Sequence, residues 1–132
     1  MSAVLVVDDS TMVRVILSEC LESSGFEVIE AIDGVEAIEQ IQTHRPDLVI
    51  TDIVMPRMNG YELYRWIKSD PRTKAIPVMM CTVKDEDFDR YWGLKQGADA
   101  YIAKPYCPLE IVYAVKHLLE MVEPIALKYP MP

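Results

Sequence analysis

Several things are scarce in this chain, and each shortage narrows the field. No apolar run among its 132 residues approaches the ~18 that a membrane-crossing helix needs. The start, Met1-Ser2-Ala3, lacks the basic segment of a secretory signal. Cysteine is rare and scattered: Cys20, Cys81 and Cys107 form no C-x-x-C pair. That argues against a disulfide framework or a zinc site and fits reduced thiols in the cytoplasm. Positive charge is short as well, with 13 Lys and Arg against 21 Asp and Glu and a formal net charge of -8. A surface that negative repels phosphate backbones and anionic lipid, so neither direct nucleic-acid binding nor membrane binding is expected. The two histidines, His44 and His117, stand apart from each other and read as solvated or packing residues, not as ligands or phosphorelay donors.

What is present is the mix of a folded domain, 51% hydrophobic and 26% charged, at a length that suits one core. Short apolar runs alternate with helical patterns. Ala3–Val7 is β-branched and reads as a strand buried on both faces, while Glu27–Ala31 is more polar and belongs nearer an edge. Leu48–Thr51, Pro77–Cys81 and Ala100–Ala103 complete five strands, spaced roughly every 20 to 30 residues as β-α-β units require. The first helix starts near Ser10 or Thr11, buries Val13, Ile16, Leu17 and Leu21, and ends at Gly25. The second runs from about Gly34 to His44, with Ala37, Ile38 and Ile41 inward and Pro46 blocking its extension. The third follows Asn59-Gly60 and carries Leu63, Trp66 and Ile67. A fourth spans about Asp85 to Gln96, with Phe88, Tyr91 and Trp92 on one face and Gly93 within it. The fifth begins at Pro108 with Ile111, Val112, Val115, Leu118, Leu119 and Val122 on one side.

Five β-α repeats imply a parallel sheet between two helical layers, with right-handed crossovers. Periodicity alone does not choose the strand order. The domain is expected to occupy residues 1–123, and residues 124–132, with three prolines and no pattern, read as a frayed tail.

In open α/β sheets the working crevice lies beyond the carboxyl ends of the strands. Those ends carry Asp8 and Asp9, Asp52, Thr82 and Lys104. Singly, an Asp-Asp after a strand is a helix-capping turn and a Lys-Pro is a loop; all five together on one rim are not explained that way. Carboxylates at ~4 Å repel by roughly 1–4 kcal/mol, so the cluster calls for a cation or raised pKa values. Hard oxygen donors that leave room for water and phosphate suit Mg²⁺.

These residues resemble a known family. Asp8-Asp9-Ser10, Asp52 with Met55-Pro56 and Asn59-Gly60, Thr82, and Gly97-Ala98-Asp99-Ala100-Tyr101 leading to Lys104-Pro105 are similar to the CheY-like receiver domain of two-component response regulators. The resemblance covers about Ala3 to Val122. It implies the flavodoxin-like three-layer α/β fold with strand order 2-1-3-4-5. It implies Asp52 as phosphoacceptor and Mg²⁺ on Asp8, Asp9, Asp52 and the Val54 carbonyl. It also implies phosphate contacts from Lys104 and Thr82, a cis bond before Pro105, and a switch formed by Thr82 and Tyr101. The implied partners are a histidine kinase and a target docking on the face made by the fourth helix, fifth strand and fifth helix. The stretch Arg90–Gly97 is similar to type IV pilus and chemotaxis regulators of the PilH kind, which implies a CheA-like kinase. The expected role is a stand-alone regulator that catalyses only its own phosphorylation and dephosphorylation; a phosphate sink and a phosphorylation-independent pseudo-receiver are the alternatives.

Some positions depart from the family. Val83 stands where a very small residue is usual and narrows access to the phosphoryl pocket. Val54 and Lys84 leave no side chain to position water, which favours slow self-dephosphorylation. Cys107 replaces a normal capping residue before Pro108. A haloacid-dehalogenase phosphatase would want an Asp where Val54 stands, and a flavin carrier's phosphate loop would be repelled by Asp8-Asp9.

Overall fold

The computed structural model describes residues 2–83, 99–104 and 106–122. Five parallel strands form one sheet: β1 Ala3–Val7, β2 Glu27–Ala31, β3 Leu48–Asp52, β4 Val78–Val83 and β5 Ala100–Lys104, in the order β2-β1-β3-β4-β5. The more polar strand, β2, is an edge. The helices among the described residues are α1 Thr11–Ser23, α2 Gly34–His44, α3 Gly60–Ser69 and the C-terminal α4 Pro108–Val122.

Strand alternation divides the core in two. Val4, Val6, Leu48, Ile50, Met79 and Cys81 pack with Leu17 and Leu21 of α1 and Ile111 and Val115 of α4. Leu5, Val7, Val49, Val78 and Met80 pack on the other face with Ala37 and Ile41 of α2 and Leu63 and Ile67 of α3. The central strands are thus apolar on both sides, as their sequence demands.

Local chemistry fixes the helix ends. The Ser10 hydroxyl accepts the Val13 N–H at 3.3 Å, and Asp33 caps α2 by accepting the Glu36 N–H at 2.9 Å. The α2 terminus is Arg45 in the left-handed region, φ 49°, directly before Pro46. Asn59 and Glu62 form a reciprocal capping box that starts α3. Asp99 accepts the Val78 N–H at 2.8 Å and meets the Lys68 ammonium at 3.0 Å, tying the start of β5 to the start of β4.

Two details differ from the sequence reading. Ile16 is 44% exposed, and Ser18 is buried instead. The helix is rolled so that Arg14 and Ser18 face β2, where both reach Glu30. Strands β3, β4 and β5 also run further than their apolar residues alone suggest, taking in Asp52, Thr82 with Val83, and Lys104, because main-chain pairing continues as Asp52↔Cys81, Thr82↔Ala103 and Val83↔Lys104. The expected 85–96 helix with its aromatic stripe and Gly93, together with Lys84, the Pro105 peptide bond and the 124–132 tail, lies outside the described residues.

Candidate functional site

Register brings the acidic residues together. Val7 pairs with Thr51, so Asp8 and Asp52 leave adjacent strands at the same level. Their side chains share the parity of Val6 and Ile50 and therefore one face of the sheet. Carboxylate oxygens of Asp8, Asp9 and Asp52 lie within 4.8 Å of one another. From β5, two strands away, the Lys104 ammonium reaches Asp52 at 3.4 Å and Asp8 at 3.6 Å.

Each carboxylate is held differently. Asp8 is buried and accepts the Ser10 N–H at 2.9 Å. Asp52 is partly buried and accepts the N–H of Ile53 at 2.8 Å, which leaves its second oxygen toward Lys104. Asp9 is exposed at the mouth. Burial, with the Asp8 charge adding to it, raises the Asp52 carboxyl above the ordinary range against the pull of Lys104. Burial works against the Lys104 ammonium too, but Asp52 and Asp8 outweigh it and hold the proton more firmly than usual.

The backbone under Asp52 is fixed by a close approach. The Gly60 N–H donates to the Ile53 carbonyl at 2.8 Å, and α3 begins against the main chain of Asp52. Arg57, in the intervening loop, has φ 67° and pairs with buried Asp33 at 2.7 Å. Val54, in the same loop, has an exposed side chain.

The donor set is oxygen only, three carboxylates against one ammonium. That composition fits a hard divalent cation: the carboxylate charge exceeds what Lys104 offsets, and the exposed side, at Asp9, is open to water. Asp8, Asp9, Asp52 and Lys104 are therefore gathered as the sequence implies. Thr82 contributes its backbone to the β4–β5 ladder, and its side chain lies outside the described residues. Tyr101 is half-buried on β5 and pairs with Met80.

The response regulator receiver domain family matches residues 4–116. The chain belongs to this family. Receiver-domain relatives include PhoP of Bacillus subtilis, an alkaline phosphatase synthesis transcriptional regulatory protein, 39% identical over 91% of this chain and 49% of its own length. The chain spans about half the length of this PhoP and of the related phosphate regulon regulator PhoB of Escherichia coli. PilH of Pseudomonas aeruginosa is 40% identical over 80% of this chain and 87% of its own. Among solved structures, a receiver domain of a Syntrophus aciditrophicus signal transduction histidine kinase superposes with a TM-score of 0.86 at 36% identity, covering 98% of this chain and all of that one. The chemotaxis response regulator CheY4 of Vibrio cholerae gives 0.83 at 32%, covering 89% and 98%. The receiver fold and its strand order are thus shown.

Three contributors to the site went unnoticed in the sequence. Asp33 stands two residues beyond the end of β2, as the cap of α2, and so falls outside the residues that directly end the strands. Arg14 interrupts the apolar pattern of α1, a signal easily taken for an exposed charge. Tyr106 follows Lys104-Pro105 and packs half-buried against the α1–α4 core; burial, together with Cys81, Asp8 and Asp52, raises its phenol well above the usual range, so it stays a neutral wall.

Proposed function

We propose that this receiver takes a phosphoryl group from the phosphohistidine of a histidine kinase onto Asp52, and that the modification changes its partner-binding face. The observation that supports this best is the nest of Asp8, Asp9 and Asp52 with Lys104 on its wall. An ionised carboxylate attacks without a general base. One Asp52 oxygen forms the new P–O bond as the P–N bond to the donor imidazole breaks, and the imidazole nitrogen keeps the electron pair. The Ile53 N–H orients the carboxylate, and Lys104, already facing Asp52, meets the incoming phosphoryl oxygens as a point charge.

Asp8, Asp9, Asp52 and the Val54 carbonyl would hold Mg²⁺, whose charge offsets that of the transferring phosphoryl group. Thr82 and Tyr101 carry the switch in this reading, through the face that includes β5 and α4. The likeness to PilH and to a chemotaxis response regulator supports a kinase of the CheA type. The same reading places the chain in the cytoplasm, where such kinases present their phosphohistidine.

Incubation with Mg²⁺ and acetyl phosphate, followed by mass spectrometry, tests the proposal. The added phosphoryl mass maps to Asp52 and disappears in Asp52→Asn. Labelling elsewhere, or none where a control receiver labels, refutes it and favours the pseudo-receiver.

A further inference from the structure

Arg14 stands at the start of α1, six positions beyond Asp8, yet its side chain is only 13% exposed. Its guanidinium is spread across three partners. Nη1 donates to the Asp8 main-chain carbonyl at 2.7 Å, Nε to Glu30 Oε1 at 3.1 Å, and Nη2 to the Thr11 hydroxyl at 3.4 Å. The other Glu30 oxygen accepts the Ser18 hydroxyl at 3.1 Å. Edge strand β2 and the next turn of α1 therefore hold Arg14, and Arg14 holds a backbone atom of the acidic nest.

That atom matters because of where it sits. The Asp8 carbonyl and the Asp9 N–H share one rigid peptide plane, the link between two of the three carboxylates. Asp8 is fixed from other sides as well, its N–H donating to the Ala31 carbonyl at 3.1 Å and its carboxylate accepting from Ser10. Among the described residues the Asp9 carboxylate has no hydrogen bond or ion pair, so its placement comes through the backbone. A short, charge-assisted bond to the Asp8 carbonyl sets the tilt of the plane from which Asp9 projects.

We infer that Arg14, anchored by Glu30, is a positioning residue for divalent-cation binding by Asp8 and Asp9. The inference rests on the reading of the acidic nest as a cation site. It has a distinctive sign. Arg14 is itself positive and close to the nest, so removing its charge should tighten cation binding by Coulomb's law. Weaker binding on its removal can only report lost geometry. Lysine keeps the charge but cannot span Asp8 and Glu30 with a planar fork.

The test is calorimetric titration of the full chain with Mg²⁺, alongside thermal melts. Arg14→Met is expected to weaken Mg²⁺ binding about tenfold, the size seen when groups supporting metal ligands are removed. Arg14→Lys weakens it in the same direction, Glu30→Gln by roughly threefold, and Arg14→Met with Glu30→Gln no more than Arg14→Met alone. A purely structural arginine would lower the melting temperature and leave Mg²⁺ affinity within twofold of the parent; that result, or tighter binding, overturns the inference. If Arg14→Met does not fold, Arg14→Lys, which keeps the charge, decides by the same criterion. A parent chain that takes up no Mg²⁺ overturns the cation reading and this inference together, whereas a parent that binds while the variants bind equally overturns this inference alone.

Discussion

Gly60 stands so close to Asp52 that a β-carbon at position 60 would come within 2.5 Å of the Asp52 carbonyl oxygen and 3.0 Å of the Ile53 Cα. Both obstacles are backbone, so neither can swing aside. In an open helical position Gly→Ala favours folding by up to about 1 kcal/mol. Here the overlap reverses the sign, and Gly60→Ala is expected to cost about 1–3 kcal/mol in urea denaturation. Because the strain falls on the strand end that carries Asp52, acetyl phosphate labelling should slow in the same variant. A variant as stable as the parent would mean that α3 can retreat from β3 freely.

Asp52 makes the native state sensitive to pH in a definite direction. Burial, assisted by Asp8, raises its carboxyl above the ordinary 3.8 despite Lys104. The folded chain thus keeps this proton to higher pH than the unfolded chain does. Stability from this group declines as pH rises through 3.8 and the shortfall persists at neutrality. Asp52→Asn removes the charge and should melt roughly 2–5 °C above the parent at pH 7 without Mg²⁺. The gap should close as the pH drops below 3.8. Thermal melts across that range check it; a neutral or lower melting temperature at pH 7 contradicts it.

How much of this was legible in the residues depends on the distance over which each signal acts. Helix ends are local: Ser10, Pro46 and Asn59 mark them without help from the rest of the chain. The two-sided burial of β1 and β3 is equally plain, because Val4–Val7 and Leu48–Ile50 have no polar face to expose. Strand order is another matter, since nothing in the periodicity of β1 says that β3 and not β4 lies beside it; the family pattern supplied that. The site was visible as a rule about strand ends, but the rule says nothing of support. Arg14 and Ile16 show why: hydrophobicity alone turns Ile16 inward, and only the pairing of Arg14 and Ser18 with Glu30 across α1 and β2 reveals the actual roll of the helix.

Asp33 supports the loop that follows Asp52. It is 2% exposed, accepts the Glu36 N–H and pairs with Arg57. Burial opposes its charge, but those partners win and hold the carboxyl below 3.8. Its contribution is therefore present in full above 3.8 and is lost as pH falls through the lower, folded value. Asp33→Asn keeps a capping oxygen and loses the ion pair, costing about 1 kcal/mol at pH 7, since Arg57 is mostly exposed and screened. Asp33→Ala loses the cap as well and costs about another 1 kcal/mol. Melts from pH 7 downward should show the Asp33→Asn deficit vanish in acid. A deficit that stays constant would assign the effect to packing.

In the proposed reading, Lys104 separates cation binding from phosphoryl transfer. Its ammonium lies 3.4 Å from Asp52 and 3.6 Å from Asp8, where it would compete with a bound cation for carboxylate oxygens. Lys104→Met keeps the stem and removes that competitor, so Mg²⁺ should bind at least as tightly as to the parent. Labelling by acetyl phosphate should nevertheless fall by about tenfold or more, because the transferring phosphoryl oxygens lose a charged partner. The two effects move in opposite directions, so a general loss of structure cannot imitate them. Weaker Mg²⁺ binding in Lys104→Met would show instead that the lysine's task is to hold Asp8 and Asp52 in register, with the phosphoryl group met by other donors.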